Sequence, residues 1–303
     1  MGNSGDNKVC VLLSTYNGER FIEEQLHSLY AQEGVAVSLL VRDDGSSDST
    51  LDILDAEQTA GRLTWYAGEN LKPAFSFWKL LHDAPENPYY AFCDQDDVWD
   101  ADKLQVAVAE LEKYGDEPAL YFCQTRLVDS SLNEMKSVVI SPLLTYGEAI
   151  SYQFVTGCTM VFNHAMRRIL LRYTPHFMRM HDVWAYDVAM AVGAHVFFDA
   201  VPHISYRQHG YNVVGQSNNP IAVWKGRVSR LWRNECIRSC LAKELLAGYG
   251  DMMSSENLVL TRMAAGYKNS LFVWMKLLFS SKYRCASCAI NVTSKLAILL
   301  RMF

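Results

Sequence analysis

The chain has 303 residues, of which 50% are hydrophobic and 20% are charged, and its formal net charge is −5. This composition suits one large folded domain, or a domain with an appendage, and excludes a disordered chain. Residues 221–303 hold 13 Lys/Arg and 4 Asp/Glu, a balance of +9, so residues 1–220 carry −5 − 9 = −14. The acidic body argues against nucleic acid as the main ligand, and the basic tail indicates an anionic partner.

The cysteines and the first residues point to a reducing location. The eight cysteines are scattered, and no second pair or histidine follows Cys285 and Cys288 at zinc spacing, so we expect reduced thiols. Residues 1–7 are short and polar, which predicts no signal peptide and a cytoplasmic protein. No apolar run reaches the length of about 18 residues that spans a bilayer.

The first half of the chain alternates predicted strands with predicted helices. Strands are expected over residues 9–14, 37–41, 63–67 and 89–93, with helices near 21–32, from 51, and near 75–81. This order is typical of a mostly parallel sheet with helices on both faces, in which ligands bind at the carboxyl ends of the strands. Polar clusters stand at those ends: Thr15-Tyr16-Asn17, Asp43-Asp44, Asn70 and Asp94–Asp97.

The second half of the body continues this pattern. We expect a helix over 102–114, a strand over 120–125 that ends at Arg126, a strand-like stretch over 154–162, a helix reaching Val192 and a strand over 195–198. A polar cluster over 206–212 precedes a predicted loop over 215–220.

The stretch Asp94-Gln95-Asp96-Asp97 is the strongest functional signal. Carboxylates this close raise one another's pKa unless a positive charge lies between them. Hard oxygen ligands of this kind suit Mg²⁺ or Mn²⁺. The alternative interpretation is a solvated acidic turn with a helix N-cap.

The tail, residues 221–303, has a helical pattern with two short apolar clusters. These clusters, 271–279 and 289–303, are interrupted by Lys276 and Lys295. Such helices can lie in the interface of an anionic membrane, and Trp224, Trp232 and Trp274 suit the headgroup boundary. The alternative is a helical cap on the body or the contact of a homodimer.

Six motifs carry a resemblance to a known family. They are Leu13–Gly18, Asp43–Asp48, Asp94–Trp99, Val155–Thr159, His181–Trp184 and Tyr206–His209. In order and spacing they resemble family 2 glycosyltransferases of the inverting GT-A type, in the bacterial branch often labelled rhamnosyltransferase. The likeness covers about Lys8–Gly215. One departure is Leu71-Lys72-Pro73 after Asn70, where the family commonly has a glycine.

The resemblance implies a GT-A fold with a catalytic domain over 1–220 and the helical tail over 221–303. It implies that Asp94 and Asp96 bind the metal, that His209 completes the metal site or contacts the diphosphate, and that Asp182 is the general base. His181 either orients Asp182 or is structural. The implied donor-binding residues are Thr15, Tyr16, Asn17, Asp43, Asp44, Asn70, Asp94, Gln95, Arg126 and Arg207.

The implied function is a metal-dependent, inverting transfer of a sugar from a nucleotide-diphosphate donor to a hydroxyl of a growing glycan. Rhamnose is a candidate sugar, and the implied acceptor is lipid-linked, at the inner face of the bacterial plasma membrane. An alternative is a silent nucleotide-sugar-binding or scaffolding subunit, against which the joint presence of the acidic motif and Asp182 argues. A nucleotidyltransferase would need a glycine-rich basic phosphate loop, and Thr15–Arg20 is not one.

Overall fold

The computed structural model describes residues 7–137, 139–152, 154–209 and 236–303. The predicted loop over 215–220, the first part of the tail, and Trp224 and Trp232 lie outside the described residues.

The strands of the described chain form two sheets. They are β1 (Lys8–Thr15), β2 (Ala36–Asp43), β3 (Thr64–Ala67), β4 (Tyr89–Cys93), β5 (Val98–Trp99), β6 (Ala119–Cys123), β7 (Arg126–Val128), β8 (Val161–Asn163), β9 (His195–Asp199) and β10 (Ile204–Arg207). The central sheet has the order β3-β2-β1-β4-β8-β6-β9, and a smaller sheet has the order β5-β10-β7. In the central sheet only β8 runs antiparallel to its neighbours. The predicted mostly parallel sheet is confirmed.

Helices cover both faces of the central sheet. They are α1 (Ile22–Tyr30), α2 (Thr50–Thr59), α3 (Lys72–Asp83), α4 (Lys103–Leu111), α5 (Tyr146–Ala149), α6 (His164–Leu170), α7 (His181–Val192), α8 (Ile237–Tyr249), α9 (Ser255–Gly266), α10 (Leu271–Phe279) and α11 (Cys288–Leu299). Side chains of β1 alternate between the two cores: Cys10 and Leu12 face the core that contains α3 and α7, and Val11 faces the core that contains α1 and α4.

The strand-like stretch predicted over 154–162 is wrong for most of its length. Gly157–Thr159 forms a 3₁₀ turn, and β8 begins only at Val161. The turn satisfies its own backbone, since the amide and the hydroxyl of Thr159 both donate to the carbonyl of Thr156. It also brings Gly157 against α7, where a Cβ on this glycine would lie 2.6 Å from His181 Nε2.

The described part of the tail packs on the body. Leu241, Leu245 and Tyr249 of α8 are fully buried in the core shared with Trp184 of α7. The Glu148 carboxylate accepts a hydrogen bond of 2.8 Å from the backbone N–H of Ala286. A boundary between residues 220 and 221 stays a prediction, but α8 and α9 contribute to the core of the body. Among the described residues, no helix is both long and apolar enough to cross a bilayer.

Candidate active site

Hydrogen bonds join the loops that follow β1, β2 and β4. The Asp44 amide donates to the carbonyl of Thr15 over 2.8 Å. Gln95 Oε1 accepts from Thr15 Oγ1 at 2.6 Å and from the Tyr16 amide at 2.8 Å, and Gln95 Nε2 donates to the Tyr16 carbonyl. The predicted meeting of these loops at the carboxyl edge of the sheet is therefore confirmed, and the Gln95 side chain links the loop after β4 to the loop after β1.

Asn17 connects the first loop to the second. Its backbone is left-handed (φ 48°), a conformation that asparagine tolerates better than most residues. Its side chain accepts from the Ser47 amide, and its own amide donates to Ser46 Oγ, each at 2.8 Å. The neighbouring Tyr16 is 49% exposed, and its contact with a bound base stays a prediction.

Asp43 and Asp44 are buried and shape the loops around them. Asp43 Oδ1 accepts from the amides of Gly45 and Ser46 at 2.9 and 2.8 Å. Asp44 forms an ion pair with Arg42 and accepts from the backbone amides of residues 71 and 72. These contacts hold the loop backbones in place; direct contact of either carboxylate with a base or ribose stays a prediction.

The segment after Asn70 departs from the family pattern at a position that favours glycine. Lys72 adopts φ 62°, in the left-handed region. Its amide donates to Asp44 Oδ2 at 2.8 Å and to Asn70 Oδ1 at 3.2 Å, which holds the bend before α3. Asn70 itself is exposed, and its role in donor binding stays a prediction.

The carboxylates of Asp94, Asp96 and Asp97 lie in the loop that follows β4. Asp94, Asp97 and Cys158 each offer an atom within 4.8 Å of the others, and Asp96 Oδ2 lies 2.7 Å from His209 Nε2. Burial raises the pKa of Asp94 and of Asp96, and raises the pKa of Asp97 to about 7. Without added positive charge, burial therefore favours the protonated form of these carboxyls.

This donor set fits a hard divalent cation. Carboxylate oxygens and an imidazole are ligands that Mg²⁺ and Mn²⁺ accept. Asp97 Oδ2 is buried and has no hydrogen-bond partner in the described chain, so this carboxylate oxygen could serve as a metal ligand. The Cys158 thiol is a poor candidate ligand, because burial raises its pKa and a hard cation prefers oxygen. The sequence placed Asp97 in the same acidic stretch as Asp94, but it did not single out Cys158 as a neighbour of the two carboxylates.

Arg207 holds the acidic loop through hydrogen bonds. It is 2% exposed; its amide donates to Asp97 Oδ1 at 3.0 Å and its Nε donates to the Asp96 carbonyl at 2.8 Å. The guanidinium also pairs with Glu24 and lies over the Phe21 ring. These contacts position the loop; a direct contact of Arg207 with a diphosphate stays a prediction.

Arg126 lies on the small sheet, in an ion pair. Its guanidinium donates to both Asp100 oxygens at 3.0 and 2.8 Å and to Ser205 Oγ at 3.1 Å. In the nearby group of Asp100, Asp102 and His203, Asp100 is therefore paired with Arg126, and His203 Nδ1 lies 3.1 Å from Asp102 Oδ1. Phosphate binding by Arg126 stays a prediction that no contact in the described chain supports.

Lys103 is a charged neighbour of the cluster that the sequence did not reveal. Its side chain is fully buried, its ammonium has no hydrogen-bond partner in the described chain, and it lies 3.2 Å from the centre of the Trp99 ring. Burial lowers its pKa, and the charge of Asp97 partly opposes that shift. A lysine in the first turn of a helix, where the helix dipole disfavours cations, was the available signal.

Asp182 lies in the first turn of α7, close enough to the acidic cluster for its charge to act on Asp94. Its Oδ1 accepts from the Val183 amide at 2.7 Å, and burial raises its pKa to about 6. The charge of Asp182 adds to the burial that raises the pKa of Asp94, which indicates that the two carboxylates are close. A carboxylate with this pKa is ionised at pH 7 and more basic than an ordinary aspartate, as a general base requires.

His181 is packed rather than hydrogen-bonded. Its ring stacks on the Phe77 ring, with 3.8 Å between the two ring centroids, and contacts the Phe92 ring edge-on. Neither ring nitrogen has a hydrogen-bond partner in the described chain. Burial lowers its pKa to about 3, so the ring stays neutral. The structure shows no hydrogen bond by which His181 orients Asp182.

Asp187, one and a half turns further along α7, should make stability depend on pH. Both its oxygens are buried without a hydrogen-bond partner in the described chain, and burial raises its pKa to about 7. The unfolded carboxyl ionises near pH 3.9, at about the model-peptide value, so the folded state binds the extra proton between these values. Its stabilising contribution is complete below about pH 4 and is lost as the pH rises through 7.

We therefore expect Asp187→Asn to raise the melting temperature at pH 8 by a few degrees. The difference in melting temperature between the variant and the wild type should shrink towards pH 4. Thermal unfolding of both proteins across this range is the measurement. A lower melting temperature of the variant at pH 8 would instead show that the carboxylate is stabilised by Arg238, whose charge opposes the shift.

A mostly parallel sheet with joined polar loops and a carboxylate cluster at its carboxyl edge defines an α/β enzyme with its ligand site at the strand ends. The family model for glycosyl transferase family 2 matches residues 10–174, which is more than half of the chain. The chain belongs to this family, and it is a glycosyltransferase with a GT-A fold.

Known relatives agree with this assignment. The chain is 27% identical over 292 residues to the dTDP-rhamnosyl transferase RfbG of Shigella flexneri, covering 86% of this chain and 91% of the relative. TarS (residues 1–349) of S. aureus, in complex with UDP-GlcNAc, has the same fold, with a TM-score of 0.57 at 16% identity over 96% of this chain and 90% of that one. The mannosyltransferase PcManGT of Pyrobaculum calidifontis, in complex with GDP-Man and Mn²⁺, has a TM-score of 0.52 at 16% identity over 96% and 86%.

Proposed function

We propose that this glycosyltransferase moves a sugar from a nucleotide-diphosphate donor to an acceptor hydroxyl in a single displacement that inverts the anomeric carbon. The Asp182 carboxylate takes the hydroxyl proton, the acceptor oxygen bonds to the anomeric carbon, and the bond to the diphosphate breaks with its electron pair on the diphosphate oxygen. The observation that carries this proposal is the buried Asp182 carboxylate, with its pKa raised to about 6, beside the Asp94–Asp97 cluster.

We propose that the reaction depends on Mg²⁺ or Mn²⁺ held by Asp94 and Asp96, with His209 as the third residue. When bound, the ion supplies positive charge to the departing diphosphate. The surplus of buried carboxylates supports this proposal, because a cation would displace the protons that the cluster otherwise retains. Arg207 would keep the Asp96 loop in position as the ion binds.

For the donor, we propose the nucleotide pocket to be the loops joined by Gln95, with Thr15, Tyr16 and Asn17 along one wall. The half-exposed ring of Tyr16, whose backbone amide donates to Gln95, supports this. Because the relative RfbG is a dTDP-rhamnosyl transferase, dTDP-rhamnose is the first donor to test. The acceptor we propose is a lipid-linked glycan at the inner face of the bacterial plasma membrane, which the basic tail would approach.

A thermal-shift panel of nucleotide sugars, each with and without Mn²⁺, tests the donor proposal. A true donor stabilises the folded state in proportion to its affinity and concentration, so one sugar should stand out. That donor should then be consumed, and NMR of the product should show inverted anomeric configuration. Binding without turnover, with any acceptor glycan tried, would support a silent sugar-binding subunit instead.

A further inference from the structure

Exposed apolar side chains concentrate on two helices of the tail. Of the fifteen large apolar side chains that are exposed in the described chain, eight belong to α10 and α11 or to Leu300 directly after them. Among them are Phe272 (60% exposed), Phe279 (79%), Val292 (62%) and Leu299 (49%). We call this surface, formed by the exposed apolar residues within 271–279 and 292–300, the α10–α11 face. Exposed apolar patches of this kind mark contact surfaces.

The segment that carries the α10–α11 face is basic, although Lys282 forms an ion pair with Glu256 of α9. Residues 257–303 contain seven Lys/Arg (Arg262, Lys268, Lys276, Lys282, Arg284, Lys295 and Arg301) and no Asp or Glu. Lys276 Nζ lies 4.4 Å from the centre of the exposed Phe272 ring, so a base stands within the face itself. A second copy of the chain, related by symmetry, would bring like charges together. An anionic lipid surface would neutralise the bases and cover the apolar side chains.

The structure also removes several tail residues from this surface. Trp274 Nε1 donates to the Ile298 carbonyl at 2.8 Å, and Lys295 Nζ donates to the Ser280 carbonyl at 2.9 Å, so both side chains join α10 to α11. In α8, the buried residues pack in the core of the body. Apart from Val259 on α9, the large apolar side chains that stay exposed in the described tail therefore lie on α10, on α11 or at Leu300.

We infer that the α10–α11 face is the surface by which this enzyme docks on anionic phospholipid. This inference refines the membrane partner of the proposed function, on which it rests for its biological purpose. Phe272 and Phe279 enter the boundary between headgroups and acyl chains, while Lys276 stays at the anionic headgroups. The body and the helices α8 and α9 packed on it stay in water, together with the active site.

The test is co-sedimentation of the full chain with vesicles, without any donor present. The wild type should bind phosphatidylcholine vesicles that contain phosphatidylglycerol, fail to bind pure phosphatidylcholine, and lose binding in high salt. The double variant F272E/F279E should not bind, and Lys276→Gln should lower the partition coefficient about five-fold. Val201→Glu is the matched control: Val201 is 57% exposed but lies in the body before β10, so this variant should bind as the wild type does.

Point variants are needed because a truncation before α8 would remove core residues and unfold the body. Equal binding of the double variant and the wild type, or no binding of the wild type, would overturn the inference. So would a dimer in light scattering that only the double variant disrupts, since a second copy would then cover the face. Donor consumption in solution, measured on the same variants with a soluble acceptor, separates a failure here from a failure of the proposed reaction.

Discussion

Replacing Asp182 with Asn should lower kcat by about 10²–10⁴-fold, the range typical of general-base removal, while donor affinity stays unchanged. The amide is nearly isosteric, accepts from the Val183 amide through its oxygen, and cannot take a proton. In the wild type, kcat/KM should fall as the pH drops below about 6, because the raised pKa of Asp182 leaves its carboxyl protonated there.

Steady-state kinetics and donor titrations of the two proteins check this result. Asp187→Asn is the matched control, since Asp187 is a buried carboxylate on the same helix that no step of the proposed mechanism uses. It should keep its kcat. A product with the anomeric configuration of the donor, or an Asp182→Asn variant with near-normal kcat, would contradict the assignment of Asp182 as the base.

Asp96→Ala should abolish metal binding and transfer, by at least about 100-fold in kcat, without unfolding the protein. The variant removes one of the three clustered carboxylates and its contact with His209. Burial raises the pKa of Asp96, so the folded protein disfavours its ionised form, and loss of this carboxyl should not lower the melting temperature.

Manganese binding followed by electron paramagnetic resonance, with thermal unfolding as the folding control, measures these effects separately from activity. Asp100→Ala is a useful comparison, because Asp100 is also acidic and near β5 but pairs with Arg126. It should keep the manganese signal. Full activity of Asp96→Ala in the presence of a chelator would show that the reaction needs no metal at this residue.

The sequence by itself determined the sheet, the positions of its loops and the acidic cluster. Apolar runs such as Tyr89–Cys93, and their alternation with helical patterns, depend on local periodicity, which the printed sequence carries directly. Loops after parallel strands meet at one edge of a sheet, so the sequence alone predicted that Thr15, Asp43 and Asp94 lie close together. The same reasoning failed at Gly157, where a turn that satisfies its own backbone replaces a strand.

Only the tertiary structure decided which charged side chains are free to meet a ligand. Arg207 is 183 residues from Glu24 in sequence, yet the two form an ion pair under the acidic loop. Lys103 and His181 lose their water through packing by distant segments, which moves their pKa values in a way that no local pattern predicts. In the tail, composition indicated an amphipathic surface, and the packing of α8 and α9 on the body decided that most of the exposed large apolar side chains of the described tail lie on α10 and α11. Burial and partner choice are sums over residues far apart in the chain, whereas periodicity and strand-end loops are properties of neighbours.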